Sequence, residues 1–262
     1  MDKPIIDLTG KKALVIGVAN AASLAFGCAQ QLKQAGADIA LTYLNEKTKN
    51  YIQPLAVELN ATTHPYDARQ KDPDAEDSLE QLIEGVVKPW QQVDVVIHSI
   101  AFAPLPDLHL PLSQVSAAGF AEAMDISCHS FIRLAGLVQP FMKKGGSLIT
   151  MSYYGAEKVV PNYGMMGPVK AALEATVRYL AYEMGDAAIR VNAISAGAVA
   201  TRAAGGLKDF SHLLDESVKK SPIHRLVQPS DIGALAAFLA SPAGQAISGE
   251  TIYVDSGYHV VD

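Results

Sequence analysis

Cysteine is scarce. Cys28 and Cys128 are the only two in 262 residues, too few for a disulfide framework and not spaced as metal ligands, so a reduced, cytoplasmic setting is expected. The seven histidines show no metal-ligand pairing either, and no metal is expected. No apolar run reaches the roughly 20 residues that span a bilayer. The opening MDKPIIDLTGKK lacks the apolar stretch of an export signal, so neither a membrane nor secretion is expected. Basic residues are outnumbered by acidic ones, 21 against 27, and are scattered, which argues against a nucleic-acid-binding face. Ser152 has no His or Asp at a spacing that suggests a catalytic triad, so a hydrolase is unsupported. The chain also has no internal repeat, no low-complexity run and no obvious linker.

What remains is an apolar, regularly punctuated chain. Short apolar runs at ALVIG (13–17), DIALTY (38–43), TTHPYD (62–67), VDVVIHSI (93–100), SLITMS (147–152), RVNAIS (190–195) and ETIYVD (250–255) read as seven strands. Helical segments stand between them. VANAASLAFGCAQQLKQAGA reads as a helix stopping near Gly36. EKTKNYIQPLAVEL reads as another, made imperfect by Pro54. DPDAEDSLEQLIEGVV is expected to start with Asp72 as N-cap and Pro73 in the first helical position. Strands apolar enough to be buried on both faces, alternating with helices, predict a parallel sheet covered on both sides. The expected fold is α/β: one doubly wound, Rossmann-like domain spanning residues 1–262, with a seven-stranded parallel sheet. In such a sheet the loops at the carboxyl ends of the strands line the ligand crevice. The Pro-rich APLPDLHLPL (103–112) interrupts the alternation after the fourth strand.

The first strand runs into GVANAASLAFG. Gly17 suits a tight turn, Ser23 offers a hydroxyl, and Gly27 would let the helix pack close to the strand. A helix beginning there presents free N–H groups and a positive dipole end to a pyrophosphate, although the motif is not the strict G-x-G-x-x-G. Asp67 ends the third strand, as a plain turn former or as an acceptor for an adenine amino group. Ser99, Ile100 and Ala101 end the fourth, where small residues let a cofactor pass close to the backbone. Together the three places favour a dinucleotide.

The segment SYYGAEKVVPNYGMMGPVK holds three tyrosines and, with six residues between it and the last, Lys170. A spacing of seven on a regular helix puts Tyr163 and Lys170 on one face. Pro168 is comfortable only in a first turn, so the helix is expected to begin around Gly164 to Gly167, with Tyr163 at its mouth. A neutral phenol can donate to a developing oxyanion, while Lys170 adds positive potential that favours phenolate character nearby. Tyr153 reads equally as a packing tyrosine at a strand end or as a second reactive phenol. Met165, Met166 and Phe210 are core residues by type, but their place beside the motif suits an acyl-chain pocket.

These features resemble the short-chain dehydrogenase/reductase superfamily, and within it the type I enoyl-acyl carrier protein reductases of bacterial fatty-acid synthesis. The commonest branch of the superfamily sets three residues between its Tyr and Lys; here there are six, and Tyr153 lies ten before Tyr163. The turn G-x5-S-x3-G at Gly17, Ser23 and Gly27 is that of the enoyl reductases. HSIAFAP (98–104), MDIS (124–127), SYYGAE (152–157), RVNAISAG (190–197) and ISGETIYVDSG (247–257) are similar to the same family at corresponding places. Asp125 stands where the commonest branch carries a catalytic Asn.

The resemblance implies NADH-dependent reduction of the trans-2 double bond of an enoyl thioester carried by acyl carrier protein. It implies catalytic Tyr163, Lys170 and Tyr153. It implies cofactor contacts at Gly17, Ser23, Leu24, Leu44, Asp67 and Ala68, then at Ser99, Ile100, Ala101, Lys170, Ala196, Val199 and Thr201. Substrate contacts are implied at Ala101, Phe102, Tyr153, Tyr163, Met166, Ala203 and Phe210, with a substrate loop at about 198–215. A homotetramer built on the segments near 115–140 and 164–184 is implied as well. Ala198, where many members have proline, and Ala200-Thr201-Arg202 depart from the usual start of that loop. After Tyr43 the chain reads Leu44-Asn45-Glu46-Lys47, with an acid and no Arg where a 2′-phosphate would need a cation, so NADH is expected; Lys47 keeps NADPH possible. Arg202 and Lys208 are expected to meet the acidic carrier, whereas Lys219 and Lys220 read as a solvated helix face. Two rivals stand beside this expectation. One is a short-chain reductase acting on a ketone or on a 2-enoyl thioester not bound to a carrier; the six-residue spacing disfavours the ketone version. The other is a dinucleotide sensor without turnover, which the presence of both Tyr163 and Lys170 disfavours.

Overall fold

The computed structural model describes residues 4–199 and 210–262, with Phe210 described only in its backbone. The seven expected strands form: β1 Lys12–Ile16, β2 Asp38–Tyr43, β3 Thr62–Pro65, β4 Val95–His98, β5 Gly146–Ser152, β6 Ile189–Ala196 and β7 Thr251–Val254. They lie in one sheet in the order β3-β2-β1-β4-β5-β6-β7, and every neighbouring pair is parallel. Alternate residues of β1 show why both faces must be covered. Ala13 and Val15 enter one buried apolar cluster, Leu14 and Ile16 the other. The order reverses between β1 and β4, whose ends are in register at Ile16 and His98. That is where an open parallel sheet leaves a crevice.

Helix α1 is Leu24–Gln34. The helix expected from Val18 therefore starts six residues later. Ser23 is extended and caps it, accepting from Phe26 N while its hydroxyl donates to the Asn20 carbonyl at 2.7 Å. Residues 18–23 become a loop over the end of β1. Helix α2, Glu46–Leu59, is capped by Asn45 and keeps Pro54 inside it. Pro54 and Asn50 are both exposed, so the carbonyl that the proline leaves unbonded faces water.

The next helical run, α3, covers residues 79–90, with a wide turn at Ile83–Val87. The expected start at Asp72 and Pro73 is wrong. Ser78 is the cap, accepting from Gln81 N, and Asp72 closes a turn through Asp74 N. Residues 71–78 are instead tied back to the end of β3, where Asp67 N donates to the Asp77 carbonyl and Lys71 bonds Asp77 at 2.6 Å.

The helical run α4 covers residues 117–138, again with a wide turn at Asp125–His129. Helix α5 is Met166–Met184, and Pro168 sits in its first turn as expected. Helices α6, Phe210–Lys220, and α7, Pro229–Ala240, follow. Gly27 does not serve strand packing, as expected from the motif, but a helix crossing. A Cβ there would stand 2.2 Å from the Pro229 carbonyl oxygen, and one on Gly233 would stand 2.2 Å from that of Gly27. Backbone thus meets backbone between α1 and α7. Among the described residues no helix is long and apolar enough to cross a membrane.

Candidate active site

A cavity of about 240 Å³ opens at the carboxyl ends of β1, β4, β5 and β6. Gly17 forms its floor with φ +99°, and a Cβ there would lie 2.0 Å from the Ser99 carbonyl oxygen. Only glycine permits both the turn and this approach of two strand ends. Ser99 is held in turn by its N–H on the Ile16 carbonyl at 3.0 Å.

Lys170 is the buried cation of the cavity, 4 % exposed. The start of α5 brings it to the end of β5, where Nζ donates to the Met151 carbonyl at 2.7 Å. Burial lowers its pKa from the usual lysine range to about 8, against the opposing pull of Cys128 and Glu174. Tyr163 lies three residues before α5, at its mouth as expected. Its ring meets that of Tyr153 edge-on, with centroids 4.8 Å apart and planes at 61°. Gly155 makes the room, since a Cβ there would stand 2.4 Å from the Tyr163 ring. Burial pushes the pKa of both phenols up. The phenolate character expected from the nearby lysine is therefore not found. Burial is the largest cause, the charges of Tyr153 and Glu174 add to it, and the Tyr163 hydroxyl keeps its proton as a donor.

Of the expected cofactor residues, the cavity brings together Gly17, Ser23, Leu24, Ser99, Ile100, Ala101, Lys170, Ala196 and Val199. Of the expected substrate residues it brings together Ala101, Phe102, Tyr153, Tyr163 and Met166. Leu44, Asp67 and Ala68 are not in its lining. Asp67 is engaged elsewhere, accepting from Arg69 N at 3.0 Å and paired with Lys71 at 3.1 Å and Arg69 at 3.3 Å. Burial works against its charge, but these bonds outweigh it and hold the carboxyl below the usual range. Met165, expected beside the acyl chain, is fully buried against Ala123, Met166 and Val169 as a core residue. Asp125 turns to Arg133 and to Gln70 N. Thr201, Ala203, the Phe210 side chain, Arg202 and Lys208 lie outside the described residues, as does most of the substrate loop expected at about 198–215.

Leu108, Leu213, Ala19, Ala103, Met151 and Gly197 line the cavity without having been singled out for it. For Leu108 the signal was present: the Pro-rich segment after β4 interrupts the alternation at the carboxyl end of a strand. Ser152, set aside for want of a nearby His or Asp, also lines the cavity, and its hydroxyl donates to Glu174 Oε1 at 2.5 Å. Twenty-two positions separate the two residues, and only the turn from β5 into α5 brings them together.

The polar equipment fits a nicotinamide dinucleotide. The N-terminus of α1 carries no acid in its first turn, which leaves its positive end available to a pyrophosphate. Small residues at 17, 19 and 99 keep the backbone bare there, and a lysine with free donor capacity faces the same space.

The family model described as enoyl-(acyl carrier protein) reductase matches residues 17–259. The NADH-dependent enoyl-[acyl-carrier-protein] reductase of Nostoc sp. is 43% identical, covering 98% of this chain and 99% of its own. That of Escherichia coli is 41% identical, covering 97% and 95%. Among solved structures, the enoyl-(acyl-carrier-protein) reductase of Anaplasma phagocytophilum in complex with NAD superposes with a TM-score of 0.90 at 44% identity, over 97% of this chain and 95% of the other. The Bacillus cereus reductase with NADP+ and an indole naphthyridinone gives 0.92 at 38% identity, over 98% and 99%.

Proposed function

The chain belongs to the enoyl-(acyl carrier protein) reductase family, and from that premise we propose that it reduces the trans-2 double bond of enoyl-acyl carrier protein thioesters with NADH. The observation that carries the reading is that Tyr163 and Lys170 stand on the wall of one apolar-lined cavity at the strand ends.

Bound NADH would supply a hydride to the β-carbon of the substrate. Negative charge then builds on the thioester oxygen, and the Tyr163 hydroxyl donates to it. Loss of such a donor typically costs about 2.7–4 kcal/mol of transition-state stabilisation. Lys170, locked by the Met151 carbonyl, keeps two further N–H donors for the ribose hydroxyls of the cofactor. Tyr153 packs edge-on against Tyr163 and fixes the plane of its ring. Ser23, Leu24, Ala196 and Val199 hold the middle of the cofactor, while Phe102 and Met166 flank the acyl chain.

Glu46 and the capping Asn45 follow β2, and Lys49 there is engaged by Glu46 at 3.2 Å and by the Tyr43 ring. This supports NADH over NADPH, with exposed Lys47 able to turn to a 2′-phosphate. The carrier is expected to dock at Arg202 and Lys208. Lys219 pairs with Glu216 and Lys220 lies over the Tyr258 ring, in keeping with a solvated helix face. Tyr179 and Tyr182 project from α5, 78% and 91% exposed; this supports burial of that helix in a homotetramer.

The test is to mix the protein with NADH and a crotonyl thioester and follow absorbance at 340 nm. Oxidation is expected, faster than with NADPH at equal concentration. Turnover of a ketone but not of the thioester would favour the rival reductase, and binding of NADH without turnover would favour a sensor.

A further inference from the structure

Reduction of an enoyl thioester takes up two hydrogens: a hydride on the β-carbon and, to neutralise the enolate that results, a proton at the α-carbon. The balance is enoyl thioester plus NADH plus H⁺ giving acyl thioester plus NAD⁺. The hydride brings both electrons, so the proton must come from solvent, into a cavity whose lining is mostly apolar. Burial holds the Tyr163 phenol in its protonated form. Each proton it gives up must therefore be replaced.

The cavity wall has a polar outlet that the site described above does not use. Ser152, 4 % exposed at the end of β5, lines the cavity and donates to Glu174 Oε1 at 2.5 Å. Glu174 stands one turn beyond Lys170 on α5 and is only half-buried. Ser152 bonds it from the cavity side, and the charges of Lys170 and Arg178 on its own helix and of Glu157 in the turn after β5 act on it. Glu157 is exposed and accepts from the Tyr253 hydroxyl at 2.6 Å. The Ser152–Glu174 pair thus joins the cavity wall to a carboxylate that is half open to solvent. Burial is the main cause that raises the Glu174 pKa, with Glu157 adding to it, while Ser152, Arg178 and Lys170 pull the other way. A carboxyl so placed exchanges protons nearer neutrality than a surface glutamate.

We propose that Glu174 and Ser152 form the path by which the reaction's proton enters. Glu174 takes a proton from water on the outer side and passes it to Ser152 Oγ. As it does so the hydrogen bond between them reverses, and protonated Glu174 donates to Ser152 Oγ. The serine hydroxyl turns to the cavity and gives its proton to the Tyr163 phenolate that the reaction leaves, directly or through a water, and no oxidation state changes. Glu174 returns to the carboxylate and Ser152 to the neutral hydroxyl. Glu174 acts through Ser152 and touches neither substrate nor cofactor. Asp125 offers no competing route, because its carboxylate is held by Arg133 and Gln70 N.

The inference rests on the proposed reductase activity, and two measurements separate its failure from failure of that reading. The first compares wild type with Glu174→Gln, Glu174→Asp and Ser152→Ala on crotonyl-coenzyme A and NADH, in H₂O and D₂O. Glu174→Gln and Ser152→Ala are each expected to lower kcat about tenfold, with KM and the NADH dissociation constant within about twofold of wild type. The solvent isotope effect on kcat should rise as the effect of deuterated NADH falls, because proton delivery becomes limiting. Glu174→Asp should recover part of the loss, and the double variant should be no slower than either single one, as for two steps in series. The second needs no turnover: the protonated-carboxyl infrared band that Glu174→Gln removes should titrate above the ordinary carboxylate range and shift in Ser152→Ala. An unchanged solvent isotope effect in both variants would overturn the path, and so would a carboxyl band that titrates like a surface glutamate. A wild type that leaves the thioester untouched while the band behaves as described would defeat the reductase reading and leave a proton path linked to a different reaction.

Discussion

The Tyr163 phenol stays protonated because burial opposes its anion, so the hydroxyl offers its hydrogen just where an oxyanion would form. Tyr163→Phe keeps the ring, the packing on Tyr153 and the edge of the cavity, and removes only that donor. Its kcat is expected to fall about 10²–10³-fold with NADH affinity unchanged. Steady-state kinetics beside a fluorescence titration checks this, and full activity in the variant would move the role to Tyr153. Lys170 responds to pH in a direction set by its environment. Its pKa sits near 8 in place of the usual 10.5, so the cation is present below about pH 8 and lost above it. NADH affinity of the free enzyme should hold steady at lower pH and weaken as pH rises through that value. Lys170→Arg, which stays charged, should bind with a flat profile.

Among the elements, α1 and α7 depend on each other through two glycines. Each backbone comes so close to the other that a Cβ at Gly27 or Gly233 would overlap a carbonyl. Gly27→Val would force the helices apart and pull α1 off the sheet, at a cost of about 1–3 kcal/mol or more. Chemical denaturation should show it as a lower midpoint at an unchanged slope. NADH binding should weaken as well, because the α1 N-terminus, beside Gly17, moves with its helix. A variant as stable as wild type would mean that the crossing is softer than the contacts imply.

For the molecule as a whole, a net charge of -6 works against an acidic carrier at long range, so docking needs local basic residues. Arg202→Glu with Lys208→Glu is expected to raise KM for the carrier-bound substrate severalfold and leave the coenzyme A thioester nearly unaffected. Added salt should bring wild type toward the variant with the carrier substrate only. Equal losses on both substrates would assign these charges to the folding of their segment.

The amino-acid sequence determined the sheet, its seven strands and its two covered faces, because burial on both sides demands continuous apolar runs, and these can be read residue by residue. It also located Gly17, Tyr163 and Lys170, whose spacing and neighbours are local, and the proline that sets the start of α5. What lay in contacts between distant segments stayed hidden until the chain was folded. The start of α3 shifted to Ser78 because residues 71–78 are bound to the end of β3. Gly27 turned out to face Pro229, some two hundred positions away. Burial set the direction of the Lys170 and Tyr163 pKa shifts, which the spacing of the two residues does not show. Ser152 found its acid on the next helix. Periodicity encodes which residues are buried, whereas the partner each one meets, and the solvation it loses there, is decided only when the sheet brings its strand ends together.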